Sequence, residues 1–474
     1  MYRQIQIDDA DVSWQWILWC CRPEDTVQQY DLTTVAYGTA CAPYLALRVM
    51  QQLADDEESR FPTGARILRK HMYVDDVLVS CDSEAEAIDA STSLTSILQS
   101  AGMKLDKWAS NYPSILPQGH TTAAPDLTFN KELCVSTLGL RWIPKTDVFS
   151  YTVPALVSSS IITKRSILSE IAGIFDPTGW IAPVTVRAKI LLQHLWLLGR
   201  DWDQLADPTT TRMWISFHEQ FPALQQCQIP RWLRTRSKSN VIYHGFSDAS
   251  EKAYGATVYL VSENKAHLVA AKSKVAPIRT VSLPRLELCG ATLPSRLLSK
   301  TLEDLGVSNP TVYCWTDSQI VLAWLRAPPN TWKNFVANRV SEVHTLLPNA
   351  AWGHVVSKQN PADLATRGCT PEQLNDNTLW WRGPPWIVSA ANYPRCELTA
   401  STQLEKWADR ICLTTTQEDT IETILAHFSS LDRLYRVIAY CRRAEDHGGG
   451  NSCSANGNHS LSPILAFLGG NQST

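Results

Sequence analysis

Four carboxylates lie in short motifs along the second half of the chain: Asp248 in HGFSDAS, Glu287 in LPRLELCGA, Asp317 in CWTDSQ and Asp363 in NPADLATRG. Asp248 and Asp317 each follow a run with β-strand character, which would deliver them to the end of a sheet. Glu287 comes three positions after Pro284. Proline is favoured in the first turn of a helix, so the glutamate is expected there, near the positive end of the helix dipole. Asp363 follows Asn360, read as an N-cap, and Pro361, read as the first helical residue, with Gly368 as the helix end. Taken singly, an Asp beside a Ser or Thr is ordinarily a turn or a cap. Gathered at one end of a sheet, such acids repel one another unless divalent cations neutralise them. Asp and Glu are the hard oxygen ligands that Mg²⁺ takes, and two ions about 4 Å apart can activate water on a phosphodiester and stabilise the leaving 3′-oxygen.

The elements that must carry these acids can be read from residue 241 onward. VIYHGFSDAS, AYGATVYLV and AHLVAAKSK are three β-rich runs, and a helix is expected from Leu283. A strand (TVYCW), two helices (SQIVLAWLR and TWKNFVANRVSEVHTLL), a strand (AAWGHVV) and a short capped helix follow. The fold class is α/β (α+β), with residues 241–370 forming a mixed sheet with flanking helices. Pro294 falls inside the helix that carries Glu287 and is expected to kink it or loosen the site. Upstream, residues 151–240 mix helical stretches with the breakers of FDPTGWIAP and read as a connecting domain. Residues 1–150 alternate short strands, RQIQI among them, with helices. HMYVDDVLVS is expected to form a hairpin with Asp75 and Asp76 at its tip, followed by a helix over 83–101 that ends at Gly102. Residues 371–446 read as a C-terminal extension, and 447–474, polar and Gly-rich, as a disordered tail.

At roughly 150 residues per domain, the 474 residues imply about three domains. A formal net charge of -3 removes the global basic footprint usual in nucleic-acid binders, so any such contact must be local. Arg231, Arg234, Arg236 and Lys238 form one basic stretch, either a solvated linker or a phosphate-contacting edge. The 13 cysteines are odd in number and form no CxxC pair, which excludes a zinc ribbon or a disulfide framework and suggests reduced intracellular thiols. No apolar run approaches the ~20 residues of a membrane span. Asp-Thr-Gly and Asp-Ser-Gly are both absent, which argues against an aspartic protease.

The phrases MYRQI, LTTVAYGTACAP, YVDD, LSEIAGIFDPTGWIAPV, FSDAS, LPRLELCGA, WTDSQIVLAWL, NPADLATRG and LWWRGPPW occur in order over residues 1 to about 390. With them the chain resembles the Pol polyprotein of a BEL/Pao-type LTR retrotransposon, in the region named for a Pao retrotransposon peptidase. The resemblance implies a partial reverse-transcriptase palm, a thumb or connection region and an RNase H-like domain that cuts the RNA strand of RNA–DNA hybrids. Asp248, Glu287, Asp317 and Asp363 would bind two Mg²⁺ ions, with Mn²⁺ as a substitute. Asp75 would bind metal in the polymerase hairpin with Asp76 beside it, Gly38 would lie in a template-contacting motif, and Lys107 would approach nucleotide phosphates. The implied partners are RNA–DNA hybrid and primer-template, and the implied location is a cytoplasmic retroelement particle or the nucleus. An integrase would place its glutamate last, whereas here it comes second.

Besides Pro294, two departures stand against full activity. Only Ser357, Lys358 and Gln359 separate AAWGHVV from Asn360, leaving no catalytic-loop histidine, and His354 within that strand reads as packing or surface. The polymerase's other metal-binding aspartate would precede MYRQI, and Asp8, Asp9 and Asp11 come too late to replace it. The alternative is therefore an inactive relic that keeps the fold as a binding or interaction protein. The chain as written is expected not to extend a primer, and measurable extension by the purified protein would refute this.

Overall fold

The computed structural model describes residues 1–116, 135–137, 140–153, 161–235, 241–394, 402–407 and 430–447. In the first segment, helices α1 (Ala42–Asp56), α2 (Pro62–Lys70) and α3 (Glu84–Ser100) close on a core that includes Ala46, Met50, Ile67, Leu94 and Ile97. Ser83 caps α3 by accepting the Glu86 N–H, and Gly102 follows the helix with φ +70°. Strand pairing in residues 1–116 consists, among the described residues, of two hairpins and one isolated bridge. β1 (Trp16–Trp19) pairs with β2 (Gln28–Asp31), and β3 (Met72–Tyr73) with β4 (Asp76–Val77). RQIQI, expected as a strand, instead begins as a 3₁₀ turn at Tyr2–Gln4 and makes only the bridge from Gln6 to Thr34. Its backbone bonds locally, Gln4 N–H to Met1 O and Ile5 N–H to Tyr2 O, because no long neighbouring strand offers a ladder.

A four-stranded antiparallel sheet follows, made of β5 (Val135–Thr137), β6 (Leu140–Ile143), β7 (Val148–Ser150) and β8 (Ile229–Pro230). Between β7 and β8 lie α4 (Lys164–Gly173), α5 (Ala182–Leu197) and α6 (Pro208–His218), with FDPTGWIAP breaking the chain between α4 and α5 as its prolines and glycine require.

The main sheet is built from β9 (Ile242–Ala249), β10 (Ala253–Ser262), β11 (Lys265–Val275), β12 (Thr311–Thr316) and β13 (Ala351–His354), in the order β11-β10-β9-β12-β13. The first three form an antiparallel meander, whereas β12 runs parallel to both β9 and β13. On one face lie α7 (Leu283–Asp304), α8 (Gln319–Arg326) and α9 (Asn334–Leu346), joined to the sheet through Tyr243, Leu260, Leu298, Cys314 and Trp352. On the other, α5, α10 (Ala362–Arg367), α11 (Pro371–Asn375) and α12 (Thr378–Arg382) share one hydrophobic cluster with Phe246, Tyr259 and Trp315. Both faces of β9 are covered, which is why its sequence reads as nearly continuous burial. The same cluster contains Ile181, Val184, Leu195, Trp214 and Trp380, so the core is continuous across residue 240.

The break before α5 covers an edge of this sheet. Ala271 N–H on β11 donates to Thr178 O, and Trp180 Nε1 donates to the carbonyls of Leu268 and Val269. Gly179, with φ +77°, permits the contact, because a Cβ there would fall 1.8 Å from Ala271 O. Pairing an exposed strand edge in this way removes a site for unwanted strand addition.

Helix α7 continues through Pro294 to Asp304. The proline loses one backbone hydrogen bond, but its ring is buried against β9 at Gly245, where a Cβ would come within 2.9 Å of Pro294 Cβ. One turn earlier, a Cβ on Gly290 would fall 2.8 Å from Asp248 O. Two glycines, one on each element, therefore let helix and strand approach closely.

Trp380 is fully buried and donates through Nε1 to Trp180 O, so LWWRGPPW packs as core. Residues Trp407–Thr474 form a separate unit, of which α13 (Leu431–His447) is described; residues 448–474, most of the segment expected to be disordered, lie outside the described residues. No helix among the described residues is long and apolar enough to cross a membrane.

Replacing Gly290 with Ala is expected to destabilise the protein by about 1–3 kcal/mol through overpacking, although Ala is the better helix former by about 1 kcal/mol. Denaturant unfolding checks this, and an unchanged or higher midpoint would contradict the close approach of α7 and β9.

Candidate active site

The parallel register of β9 and β12 sets Ser247 opposite Thr316, so the residues that follow, Asp248 and Asp317, emerge side by side. Neighbours of these two strands continue in opposite directions across the sheet, and the carboxyl ends at such a reversal form a crevice suited to ligands. Asn360 ties α10 to the same place: its Nδ2 donates to Ser247 O at 2.9 Å, and its Oδ1 accepts the Ala362 N–H at 3.1 Å. The helix itself starts one residue later than expected, with Pro361 at the cap position, because the Asn360 side chain is used for this tether. Asp363 lies in the first turn of α10 as expected, whereas Glu287 is the fifth residue of α7, in its second turn, because the helix begins at Leu283.

Each carboxylate has a protein partner. Thr366 Oγ1 donates to Asp248 Oδ2, Ser318 Oγ to Glu287 Oε2 at 2.6 Å and Ser357 Oγ to Asp317 Oδ2 at 2.6 Å. Asp363 Oδ1 pairs with Arg367 Nε at 2.7 Å. His354 Nε2 lies 3.2 Å from the Asp317 backbone oxygen, in keeping with its reading as packing. Among the described residues no three His, Cys, Asp or Glu side chains form a ready ligand group for a metal.

The acids nonetheless feel one another. Burial pushes Asp248 up to about 6, with the charges of Asp317 and Asp363 adding to the rise and the Thr366 and Ala249 hydrogen bonds opposing it. Glu287 is raised first by burial and further by Asp317, against the Ser318 bond. Asp363 is raised by burial and by Asp317, against Arg367. Asp317 is thus the charge common to the other three. A set of hard oxygens whose charges oppose one another suits a divalent cation by its donor chemistry.

Asp75 and Asp76 are exposed on a different sheet, the β3–β4 hairpin, whose turn has Val74 at φ +55°. Gly38 is exposed in a turn at φ +86°, and exposed Lys107 has φ +53° with its N–H on Asp106 Oδ1. Arg231 is held inside the protein by a two-pronged pair with Asp147 at 2.6 and 2.9 Å, a bond to Ser80 and the face of Trp142. Arg234 rests on Trp232, and Arg236 lies outside the described residues. Thr366, Ser357 and Arg367 were not anticipated as partners of the acids. The i, i+3 and i, i+4 spacing from Asp363 was the available signal for Thr366 and Arg367.

Residues 163–318 match the family model of the Pao retrotransposon-like RNaseH-like domain. No curated protein matches the chain. Among solved structures, the foamy viral protease-reverse transcriptase dRH in complex with double-stranded DNA is similar at 13% identity and a TM-score of 0.46, over 74% of this chain and 54% of that one. LC11-RNase H1 in complex with an RNA/DNA hybrid is similar at 12% identity and a TM-score of 0.23, over 28% of this chain and 99% of its own. RNase H1 of the halophilic archaeon Halobacterium salinarum NRC-1 follows at 17% identity and 0.21, over 29% and 98%. The chain spans about half the length of the foamy viral protein. It carries a Pao retrotransposon-like RNaseH-like domain on a mixed sheet.

A carboxyl whose pKa is raised by folding binds its proton more tightly in the native state. Its contribution to stability is present below its ordinary value of 3.8 and is lost as pH rises through about 6. Above that the folded protein carries a buried charge, at a cost on the order of 3 kcal/mol for Asp248. Asp248→Asn is therefore expected to raise stability at pH 7.5 in EDTA by about 1–3 kcal/mol and to give no gain at pH 4. Thermal melts at the two pH values test this, and a loss of stability at both would count against it.

Proposed function

We propose that this RNaseH-like domain is the nuclease of a retroelement Pol protein and hydrolyses the RNA strand of RNA–DNA hybrids by two-metal catalysis. The observation that carries the reading is the meeting of Asp248 and Asp317 at the carboxyl ends of two adjacent parallel strands, with Glu287 and Asp363 brought to them by α7 and α10. The residues that would hold Mg²⁺, or Mn²⁺ in its place, are these four acids. The ions, when bound, supply an activated water and stabilisation of the leaving 3′-oxygen, giving 3′-hydroxyl and 5′-phosphate ends.

The chain's own groups do the rest. Glu287 and Asp317 are oriented by the Ser318 and Ser357 hydroxyls, so their oxygens are placed before any ligand arrives. Ser357 is exposed, so its bond to Asp317 can exchange without disturbing the core. Arg367 balances Asp363 and is itself largely exposed, which allows it to turn toward a phosphate when the carboxylate takes another partner. Asp248 keeps its proton more tightly than a free carboxyl does, so a cation has to displace that proton and Mg²⁺ binding is expected to weaken as pH falls. Discrimination of RNA from DNA would come from contacts to 2′-hydroxyls.

By the same reading, residues 1–150 are part of a reverse-transcriptase palm, with Asp75 and Asp76 on its hairpin, Gly38 and Lys107 toward primer-template, and a location inside the cell. A second reading, an inactive relic that binds nucleic acid or protein, is favoured by the Asp363–Arg367 pair, in which a cation already occupies one of the four acids.

A hybrid-cleavage assay in Mg²⁺ separates the two. The wild-type chain is expected to cut, and Asp317→Asn to lose about 100-fold or more, the equivalent of roughly 2.7 kcal/mol of transition-state stabilisation. If both proteins are equally silent, the nuclease reading fails and the relic remains.

A further inference from the structure

The side chain of Thr366 is fully buried, yet its hydroxyl faces the acidic site. It donates to Asp248 Oδ2 and also lies 3.0 Å from the Asp363 backbone oxygen, so one hydroxyl spans the strand and the helix that supply two of the four acids. Its position is fixed from several sides. Ser273 Oγ on β11 donates to Ala365 O at 2.6 Å, and the Asn360 side chain fastens the start of α10 to Ser247 O. Ala365 rests on β10 at Gly255, where a Cβ would come within 2.8 Å of Ala365 Cβ. A six-residue helix held this firmly has no freedom to carry Thr366 away from Asp248.

We propose that Thr366 is a positioning residue for the nuclease site, holding the Asp248 carboxylate in the one orientation from which it can share a divalent cation with its neighbours. This rests on the nuclease reading and deepens it by adding a residue outside the four acids. The argument is geometric. Asp248 sits at the end of a strand buried on both faces, and its carboxylate has a torsion free to rotate unless a neighbour fixes it. The Thr366 hydroxyl and the Ala249 backbone are the groups that do so. Without the hydroxyl, a buried acceptor is left unpaired and the carboxylate can turn toward other donors, which a metal site tolerates poorly because partners of its ligands orient them. The methyl of Thr366 contributes packing alone, so hydroxyl and methyl can be separated by substitution.

The test uses the full chain with Thr366→Val, which keeps the shape and removes the hydroxyl, and Thr366→Ser, which keeps the hydroxyl and removes the methyl. Mg²⁺ binding is measured by calorimetry without substrate, and hybrid cleavage is measured as a function of Mg²⁺ concentration. The expected result is at least a tenfold weaker Mg²⁺ affinity for the valine variant, with cleavage partly restored at high Mg²⁺, and affinity within about threefold of wild type for the serine variant. The proposal is overturned if the valine variant binds Mg²⁺ like wild type, or if the serine variant loses as much as valine does, since the hydroxyl would then be irrelevant. If the valine variant does not fold, Thr366→Ala takes its place as the hydroxyl-free arm, and an alanine variant that binds Mg²⁺ like wild type overturns the proposal. Failure of the nuclease reading has a different appearance: wild type itself would neither bind Mg²⁺ nor cut hybrid, and the proposal would fall with it.

Discussion

Repulsion among four carboxylates at one end of a sheet is the constraint around which the rest of this structure is arranged. Burying Asp248 beside Asp317 and Asp363 opposes folding, and hydrogen bonds from Thr366 and Ala249 offset only part of that cost. Proteins hold such an arrangement when the surrounding packing over-determines it. Here the packing does so through contacts to the backbone of β9: Gly290 lies against Asp248 O, the Pro294 ring against Gly245, and the Asn360 amide on Ser247 O. None of these can relax without moving a strand or a helix as a whole.

The core behind the site is stiff for a related reason. On the α5 and α10 face, His244 and Phe246 share with Asp248 the same side of β9 and are packed among Tyr313, Trp315, Trp386 and Tyr393. Burial pushes His244 down to about 3, so the ring is neutral at ordinary pH. Its Nδ1 accepts from Trp315 Nε1, and this fixes the tautomer that donates from Nε2 to Tyr393 O–H. A neutral, fully bonded histidine places no charge near the acids and costs little to bury. Trp386 extends the cluster toward the site by donating to Gln359, one residue before the Asn360 tether.

The strands, the long helix and the acids were legible in the sequence because each depends on local pattern: β-rich runs before Asp248 and Asp317, a proline two residues into α7, and an Asn-Pro pair at α10. What was not legible also has physical causes. The cost of Pro294 is a property of the isolated helical segment, whereas the space for its ring is supplied by a glycine some fifty residues away in sequence. RQIQI has strand composition but meets the 33–35 stretch at a single bridge, too short to make a ladder, and strand formation depends on such neighbours more than on the residues themselves. Arg231 belonged to a basic stretch in one dimension. In three dimensions Asp147 takes up its charge, an ion pair that no spacing rule could indicate.

The same distinction bears on where the RNaseH-like unit begins. A boundary near residue 240 follows from the basic stretch and the start of the β-rich runs, yet the apolar face of the sheet cannot be closed by residues 241–370 alone. Ile181, Val184 and Leu195 of the α5 region, Trp214 of α6 and Trp380 of α12 fill one cluster with Phe246, Tyr259 and Trp315. The 178–180 turn bonds the free edge of β11. Cutting before β9 would expose that edge and one face of the sheet, a large apolar surface of the kind that leads to aggregation. The matched domain begins at residue 163, at the capped start of α4, and so includes α5, α6 and the 178–180 turn, while α12 follows its end at residue 318. The sheet that carries Asp248 and Asp317 has one of its covering layers supplied from both sides of its own sequence, so the acidic motifs and the folding unit have different limits.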